Sequence, residues 1–271
     1  MQTLNPIANH IWLRRFLLVL ILSLPLPLEM IFAQEKSPDT KPAMDPVAER
    51  LLKNMSDYLA KLPAFSFRAG HSLEVVTDSG QKLSFESESQ VSVQRPNKVR
   101  SDRKGLLADL TLFYDGKNLT LYGKETKYYA TTKTPATLDQ TMDLAREKLN
   151  LEIPGSDLLY SNPYQILKED VVSSMYLGKT RIQGLMVHHL AFRGTETDWQ
   201  IWIADGPKPR PVKFMIVTKK LAQAPSASVE IQNWNPSPKF SPEFFTFKPS
   251  PDDMRISFAK DIQNKQSLEK R

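Results

Sequence analysis

Apolar and polar positions alternate along most of this chain, broken by a few stretches where the period lengthens to that of a helix. The alternation is clearest between His188 and Lys220. In Val187–Arg193 one parity carries His188, Leu190 and Phe192, and the other Val187, His189, Ala191 and Arg193. Asp198–Ala204 sets Trp199, Ile201 and Ile203 against Gln200 and Trp202. Val212–Thr218 sets Val212, Phe214 and Ile216 against Lys213, Met215 and Val217. Gly194-Thr195-Glu196 and Asp205-Gly206-Pro207 supply turns, so the pattern predicts a three-stranded antiparallel meander. In each strand the second parity is itself half apolar. Something apolar is therefore expected to cover part of that face too: helices of the same chain, a ligand, or both.

The remaining segments read in the same way. Asp45-Pro46 starts a helix, with Asp as N-cap and Pro in the first turn, and Val47, Leu51, Met55, Tyr58 and Leu62 form its apolar stripe before Pro63 stops it. Ala64–Thr77 and Leu83–Val93 pair as a long hairpin about Asp78-Ser79-Gly80. Its apolar parity holds Phe65, Phe67, Ala69, His71, Leu73 and Val75, then Leu83, Phe85, Ser87, Ser89, Val91 and Val93. A strand near Lys98–Arg103 and a meander of Leu110–Tyr114, Leu119–Tyr122 and Lys127–Thr132 follow, the Asp115-Gly116 pair marking one turn. Tyr114, Tyr122, Tyr128 and Tyr129 gather there, either as an aromatic ligand wall or as ordinary strand formers. Thr137-Leu138-Asp139-Gln140 is a capping box opening a helix with Leu138, Met142, Ala145 and Leu149 on one face, and Ser156 and Asn162-Pro163 cap two shorter helices. Strands are expected again at Val171–Leu177 and Ala227–Trp234. Residues 236–251 then alternate Pro with Phe240, Phe244, Phe245 and Phe247 as an extended closing segment.

Composition places these elements in a compartment. Residues 1–33 read as a cleaved secretory signal, with Arg14-Arg15 ahead of the apolar run Phe16–Leu28, which Pro25 and Pro27 make too short and broken to span a bilayer. Residues 34–44 form a flexible lead-in, 45–258 a single domain and 259–271 a disordered tail. The chain of 271 residues has no Cys, which excludes disulfides, thiolate metal sites, Cys nucleophiles and a lipidated N-terminal Cys. The formal charge of +6 is spread along the sequence without basic-aromatic clusters, so nucleic acid is not an expected partner.

Candidate chemistry is sparse. His188 and His189 are neighbours on a strand and point to opposite faces, so the pair does not suit one metal ion. Neither a nucleophile elbow nor a zinc-protease motif nor a phosphate-binding loop is present. Asp198 and Asp205 flank the tryptophan strand, where Asp is common beside turns. Of Trp199 and Trp202, one is expected to face the core and the other solvent or a guest.

Five segments carry a resemblance: Tyr114-Asp115-Gly116-Lys117, Ile153-Pro154-Gly155-Ser156-Asp157-Leu158-Leu159, His189-Leu190-Ala191-Phe192-Arg193, Asp198-Trp199-Gln200-Ile201-Trp202 and Pro209-Arg210-Pro211-Val212-Lys213. Together they resemble an uncharacterised family of predicted bacterial periplasmic proteins with a lipoprotein-carrier (LolA/LolB-like) fold, over about Asp45–Phe258. The resemblance implies an α+β fold: a strongly curved antiparallel sheet, an open half-barrel, wrapped around a few helices. It implies an apolar hollow and no cofactor or enzymatic activity. The expectation is a soluble periplasmic carrier that holds a lipid, acyl chain or other hydrophobic molecule, with at most transient membrane contact. The expected lining residues are Leu138, Met142, Leu149, Leu158, Trp202 and Met215, and no metal site is expected. The alternative is a cell-envelope interaction or sensor module, in which a sheet edge and the Pro/Phe-rich segment engage a protein partner.

Overall fold

Fifteen residues, Pro46–Ala60 (α1), form the first helix, because Asp45 stands in extended conformation and accepts from the N–H groups of Val47 and Ala48. The computed structural model describes residues 44–258 except 107, 108, 152 and 154. The expected signal, most of the lead-in and the tail lie outside the described residues. The face α1 buries is Ala48, Leu52, Met55 and Leu59, one position round from the stripe read in the sequence. Leu51, Tyr58 and Leu62 flank that face at the rim of the core.

The strands are β1 (Ala64–Val76), β2 (Lys82–Gln94), β3 (Lys98–Gly105), β4 (Leu110–Tyr114), β5 (Asn118–Gly123) and β6 (Tyr128–Lys133), then β7 (Val171–Ile182), β8 (Leu185–Gly194), β9 (Thr197–Ala204), β10 (Pro211–Thr218), β11 (Ser226–Asn235) and β12 (Met254–Ile256). Between β6 and β7 the chain forms α2 (Leu138–Leu149), a 3₁₀ turn at Ser156–Leu159 and α3 (Pro163–Lys168). All twelve strands form one sheet in the order β12-β6-β5-β4-β3-β2-β1-β11-β10-β9-β8-β7. Two meanders, β1–β6 and β7–β11, thus meet at a single seam, where β1 pairs with β11. Every pairing is antiparallel except that of β12, which runs parallel to β6. The fold is therefore α+β in class and its sheet is open, but not purely antiparallel.

Twelve strands laid flat would be about 50 Å wide at the usual spacing. Yet one contiguous core takes in Val99, Leu112 and Leu119 from one wing and Leu190, Phe192 and Ile201 from the other, with the helices between them. The sheet is bent around its helices, and alternate residues of nearly every strand point into the hollow. Three aromatic stacks hold this inner face: Trp199 on Phe192 at 3.9 Å, and Trp234 on Phe65 and Phe67 at 5.2 and 5.7 Å.

The helices are fixed unequally. Asp45 accepts from the Tyr176 N–H at 3.0 Å, and its own N–H donates to Ser174 Oγ, so the first turn of α1 is tied to β7. The Tyr176 bond is the main reason that the Asp45 carboxyl sits below the usual carboxylate range. Ser56 on α1 binds the Tyr164 N–H, and Tyr164 reaches Glu49, which clamps α3 to α1. Asp45→Ala is expected to cost about 2 kcal/mol, the sum of a lost cap and a lost charged hydrogen bond. Urea unfolding near neutral pH checks this, and Asp45→Asn should recover part of the loss.

The closing segment lies on the outer face. Phe247 fits among Phe113, Tyr122 and Tyr129, with ring centroids 5.0–5.5 Å apart. The Arg100 guanidinium lies over Phe113 and Phe244 and donates to the Phe244 carbonyl. Tyr122 donates to Asp253, and the Met254 N–H to the Lys127 carbonyl, which starts β12. The expected closing segment is thus held by its aromatics on its own sheet, where its phenylalanines find an apolar outer patch on β4–β6.

Candidate functional site

Between the inner face of β1–β4, with β11 beside it, and the layer of α2, Ile153 and residues 155–159 lies a cleft of about 680 Å³ counted out to solvent, of which about 60 Å³ is cavity. Phe67, Val91, Val99 and Leu112 form its floor, Val229 and Ile231 its side, and Met142, Leu158 and Leu159 its roof. These side chains get there by strand parity: Val91 faces Phe67 across β1–β2, and Leu112 faces Ser101 across β3–β4. The roof closes over them because Gly155, at φ +82°, turns the chain into the 3₁₀ segment, and a Cβ placed there would lie 3.5 Å from Val229 Cγ2. A cavity of about 60 Å³ holds roughly four waters. It does not hold a long acyl chain until the roof rises.

That roof is cross-linked within itself more than to the floor. Asp139 on α2 accepts from the N–H and hydroxyl of Ser161, and Tyr160 donates to Asp143 at 2.7 Å. Arg146 approaches Asp157 at 3.7 Å. Burial raises the Asp157 carboxyl while Arg146 opposes the rise, and burial together with the Asp143 bond pushes the Tyr160 phenol up. Links from this layer to the sheet gather near the β2–β3 turn, where the Leu138 N–H donates to the Pro96 carbonyl and Arg95 to the Tyr160 carbonyl. Elsewhere the roof rests on the sheet through Leu138, Met142, Ala145 and Leu158, all apolar.

One part of the cleft is polar. His71, Ser89, Ser101 and Arg103 line it beside the apolar floor. His71 Nε2 is 2.7 Å from Ser89 Oγ, and Arg103 Nε donates to Ser87 Oγ at 3.0 Å. His71 is 8% exposed, and its Nδ1 is buried without a partner. Burial, with the Arg103 charge nearby, lowers its pKa to about 4, so the ring is neutral in neutral solution. Burial also lowers Arg103, and among the described residues no carboxylate stands within ion-pair distance of it. The sequence carried a signal for this patch. On β2 the parity of Val91 and Val93 also holds Ser87 and Ser89, and on β3 the parity of Val99 holds Ser101 and Arg103. Polar residues on the buried parity of two adjacent strands mark one inward-facing spot.

The residues expected to line a hollow separate into three groups. Met142 and Leu158 border this cavity. Leu138 is buried in the core under α2, and Leu149 packs at its edge, both outside the cavity lining. Trp202 and Met215, contrary to expectation, stand on the outer face. Trp202 opposes His189 and Lys213 across its neighbouring strands and stacks on His189 at 4.2 Å, while Met215 opposes Gln200. Their parity is opposite to that of Ile201 and Phe214, which face the core. Val212 also changes side. An irregularity between Pro211 and Lys213 takes it out of step with Phe214, and it joins Val187, Ala204 and Trp202 in a small outer cluster.

The tyrosines do not form one wall. Tyr114 is core and donates to the Pro135 carbonyl, Tyr122 and Tyr129 lie under Phe247 on the outer face, and Tyr128 is exposed. His188 and His189 occupy opposite faces. His188 sits between the Tyr176 hydroxyl and Asp205, each at 3.0 Å, and Asp205 also binds Lys179. Asp198 pairs with Lys219. The two aspartates are each held by a lysine and not by one another. Among the described residues no three His, Cys, Asp or Glu side chains converge as a metal would require.

A family model described as "Predicted periplasmic protein (DUF2092)" matches residues 48–259. No curated protein sequence matches the chain. Among solved structures, an uncharacterised conserved protein from Thermus thermophilus aligns at TM-score 0.45 and 12% identity, over 78% of this chain and 99% of that one. The Mycobacterium tuberculosis lipoprotein LppX aligns at TM-score 0.42 and 11% identity, over 72% and 98%. A LolA superfamily protein from Nitrosomonas europaea aligns at TM-score 0.39 and 10% identity, over 74% and 97%.

Proposed function

The chain belongs to the DUF2092 family of predicted periplasmic proteins, and from that premise we propose that it is a periplasmic binding or carrier protein for a lipid or another hydrophobic molecule. The apolar part of the ligand lies between the inner face of the sheet and the roof of α2 and residues 155–159. One observation carries this reading: an open cleft whose floor, side and roof are mostly apolar, under a layer braced within itself. A protein that only needed a core would fill that space with its own side chains.

The process is passive, with no bond made or broken. Each methylene that leaves water for the cleft contributes about 0.8 kcal/mol, so about ten of them contribute about 8 kcal/mol before ordering costs. To admit them, α2 and the 3₁₀ segment lift as one piece, turning about their links to Pro96 and Arg95. Met142 and Leu158 are the roof residues that a tail would touch.

The test is mass spectrometry of an organic extract of the purified protein, together with displacement of a fluorescent fatty acid. A co-purified amphiphile and saturable displacement are expected. With Met142→Trp, an indole occupies the cavity, and affinity should fall by at least about tenfold while the fold tolerates the change at a cost of about 1–3 kcal/mol. An empty extract and no displacement sink the carrier reading.

A second reading is favoured by β7, the edge strand of the sheet among the described residues, where Val172, Met175 and Leu177 are exposed. On that reading β7 docks an envelope protein. Crosslinking in intact cells through a photoreactive residue at position 175 separates the two: an adduct that survives Met142→Trp favours docking.

A further inference from the structure

The polar patch on the cleft floor has no structural use that its surroundings explain. Arg103 brings a full positive charge to the inner face, where burial is costly unless an anion compensates it. The acidic residues of the surrounding strands cannot serve. Glu74 on β1, Glu86 and Glu88 on β2 and Asp102 on β3 all have the outer parity, as their register with Ser72, Gly70 and Gln90 shows. Asp102 is taken up there by Arg100, Thr111 and Lys124. Arg103 uses only Nε, on Ser87, and among the described residues its two terminal nitrogens have no hydrogen-bond partner. Beside it stand a buried imidazole nitrogen without a partner, at His71, and the hydroxyls of Ser89 and Ser101. Buried polar atoms are normally satisfied, and the buried His71 Nδ1, without a partner and beside a half-buried guanidinium that no carboxylate among the described residues answers, marks a missing partner.

We propose that His71, Ser89, Ser101 and Arg103 are a receptor for the oxyanion head of an amphiphile, a carboxylate or phosphate, whose tail lies under α2 against Val91, Val99, Leu112 and Met142. This deepens the carrier reading and rests on it. The chemistry matches in charge and in shape. The guanidinium offers a fork of N–H donors that fits two oxygens of one carboxylate or phosphate. His71, neutral, donates from Nδ1 when Nε2 accepts from Ser89, and the hydroxyls complete the shell. One cation answers one negative charge, while the adjoining floor takes hydrocarbon. A neutral lipid leaves the cation and the imidazole unpaired and binds more weakly.

The experiment compares oleic acid, methyl oleate and lysophosphatidic acid as competitors of a neutral fluorescent probe, in the wild type and in Arg103→Gln. Oleate is expected to bind the wild type at least about tenfold more tightly than its methyl ester, which has the same tail. In Arg103→Gln the acid should weaken by about ten- to a hundredfold while the ester stays unchanged. Tighter binding of lysophosphatidic acid with the same dependence on Arg103 supports the receptor and assigns the head to phosphate. Equal affinity of oleate and its ester, or equal weakening of both by Arg103→Gln, overturns the receptor and leaves the carrier reading standing. If none of the three competes, the carrier reading fails and takes this one with it. Should Arg103→Gln not fold, Ser101→Asp places a carboxylate on the same face of β3, where it should block the acid and spare the ester. A Ser101→Asp protein that binds both as before overturns the proposal.

Discussion

Phe245→Ala should lower stability by about 3–5 kcal/mol, a drop usual for emptying a fully buried phenylalanine site. Phe245 is 1% exposed, although it belongs to a turn over residues 242–245, outside any helix or strand. Its ring meets Phe240 and Phe244 edge-on, at 4.9 and 5.0 Å, and Phe244 is in turn held by the Arg100 guanidinium. The result separates two roles for the segment. A strip kept for a partner would tolerate the change, and the unfolding midpoint would hardly move. A strip that seals the outer face would not, and Phe244→Ala, on the rim, should cost clearly less. Differential scanning calorimetry of the three proteins decides, with a shift under about 1 kcal/mol for Phe245→Ala counting against the sealing role.

Acid should destabilise this protein through His71 before it does so through the carboxylates. The ring titrates at about 4 in the folded chain against 6.5 in the unfolded one. Between those values the unfolded chain holds a proton that the native one lacks, so stability is full above about pH 6.5 and falls as the pH drops towards 4. At about 1.4 kcal/mol per unit the loss reaches about 3 kcal/mol. The charge facing the ring is Arg103 on β3, and the neighbouring acids of β1 and β2 are on the other side of the sheet. Urea midpoints at several pH values in wild type and His71→Gln make the test. The variant should lose the slope between pH 6.5 and 4 and keep only the steeper fall below, where Asp45, Glu74 and Asp102, whose folded carboxyls are held low, take up protons. Parallel profiles for the two proteins would refute the assignment.

What the sequence makes legible, and what it hides, divides along physical lines. The central meander, the long hairpin, the Asp45 and Thr137 caps and the Asp115-Gly116 turn are readable because each follows from local rules: period two, capping geometry, residues that accept positive φ. The side on which Trp202 and Met215 stand is also fixed by period two. Both are nonetheless expected to line the hollow, because strands with two half-apolar faces give no local sign of which face is inner. The out-of-step residue at Val212 and the parallel return of β12 depend on packing between segments far apart in the chain, and alternation is silent about both. Arg103 and His71 are visible as polar residues of the inner parity. Their convergence requires knowing that β1, β2 and β3 are adjacent and in register.

The seam between the two halves has one more consequence. β1, the first strand in the chain, finds one neighbour a few residues away and the other, β11, only after more than half the sequence has passed. Residue His71 aligns with Ser87 on one side and Val229 on the other. Each half can zip from local hairpins, but joining them requires closing a very long loop, whose entropy is lost before the seam returns any contact energy. Until that join is made, the backbone of β1 and the apolar side chains that will enclose the cleft stay open to water, and to other chains.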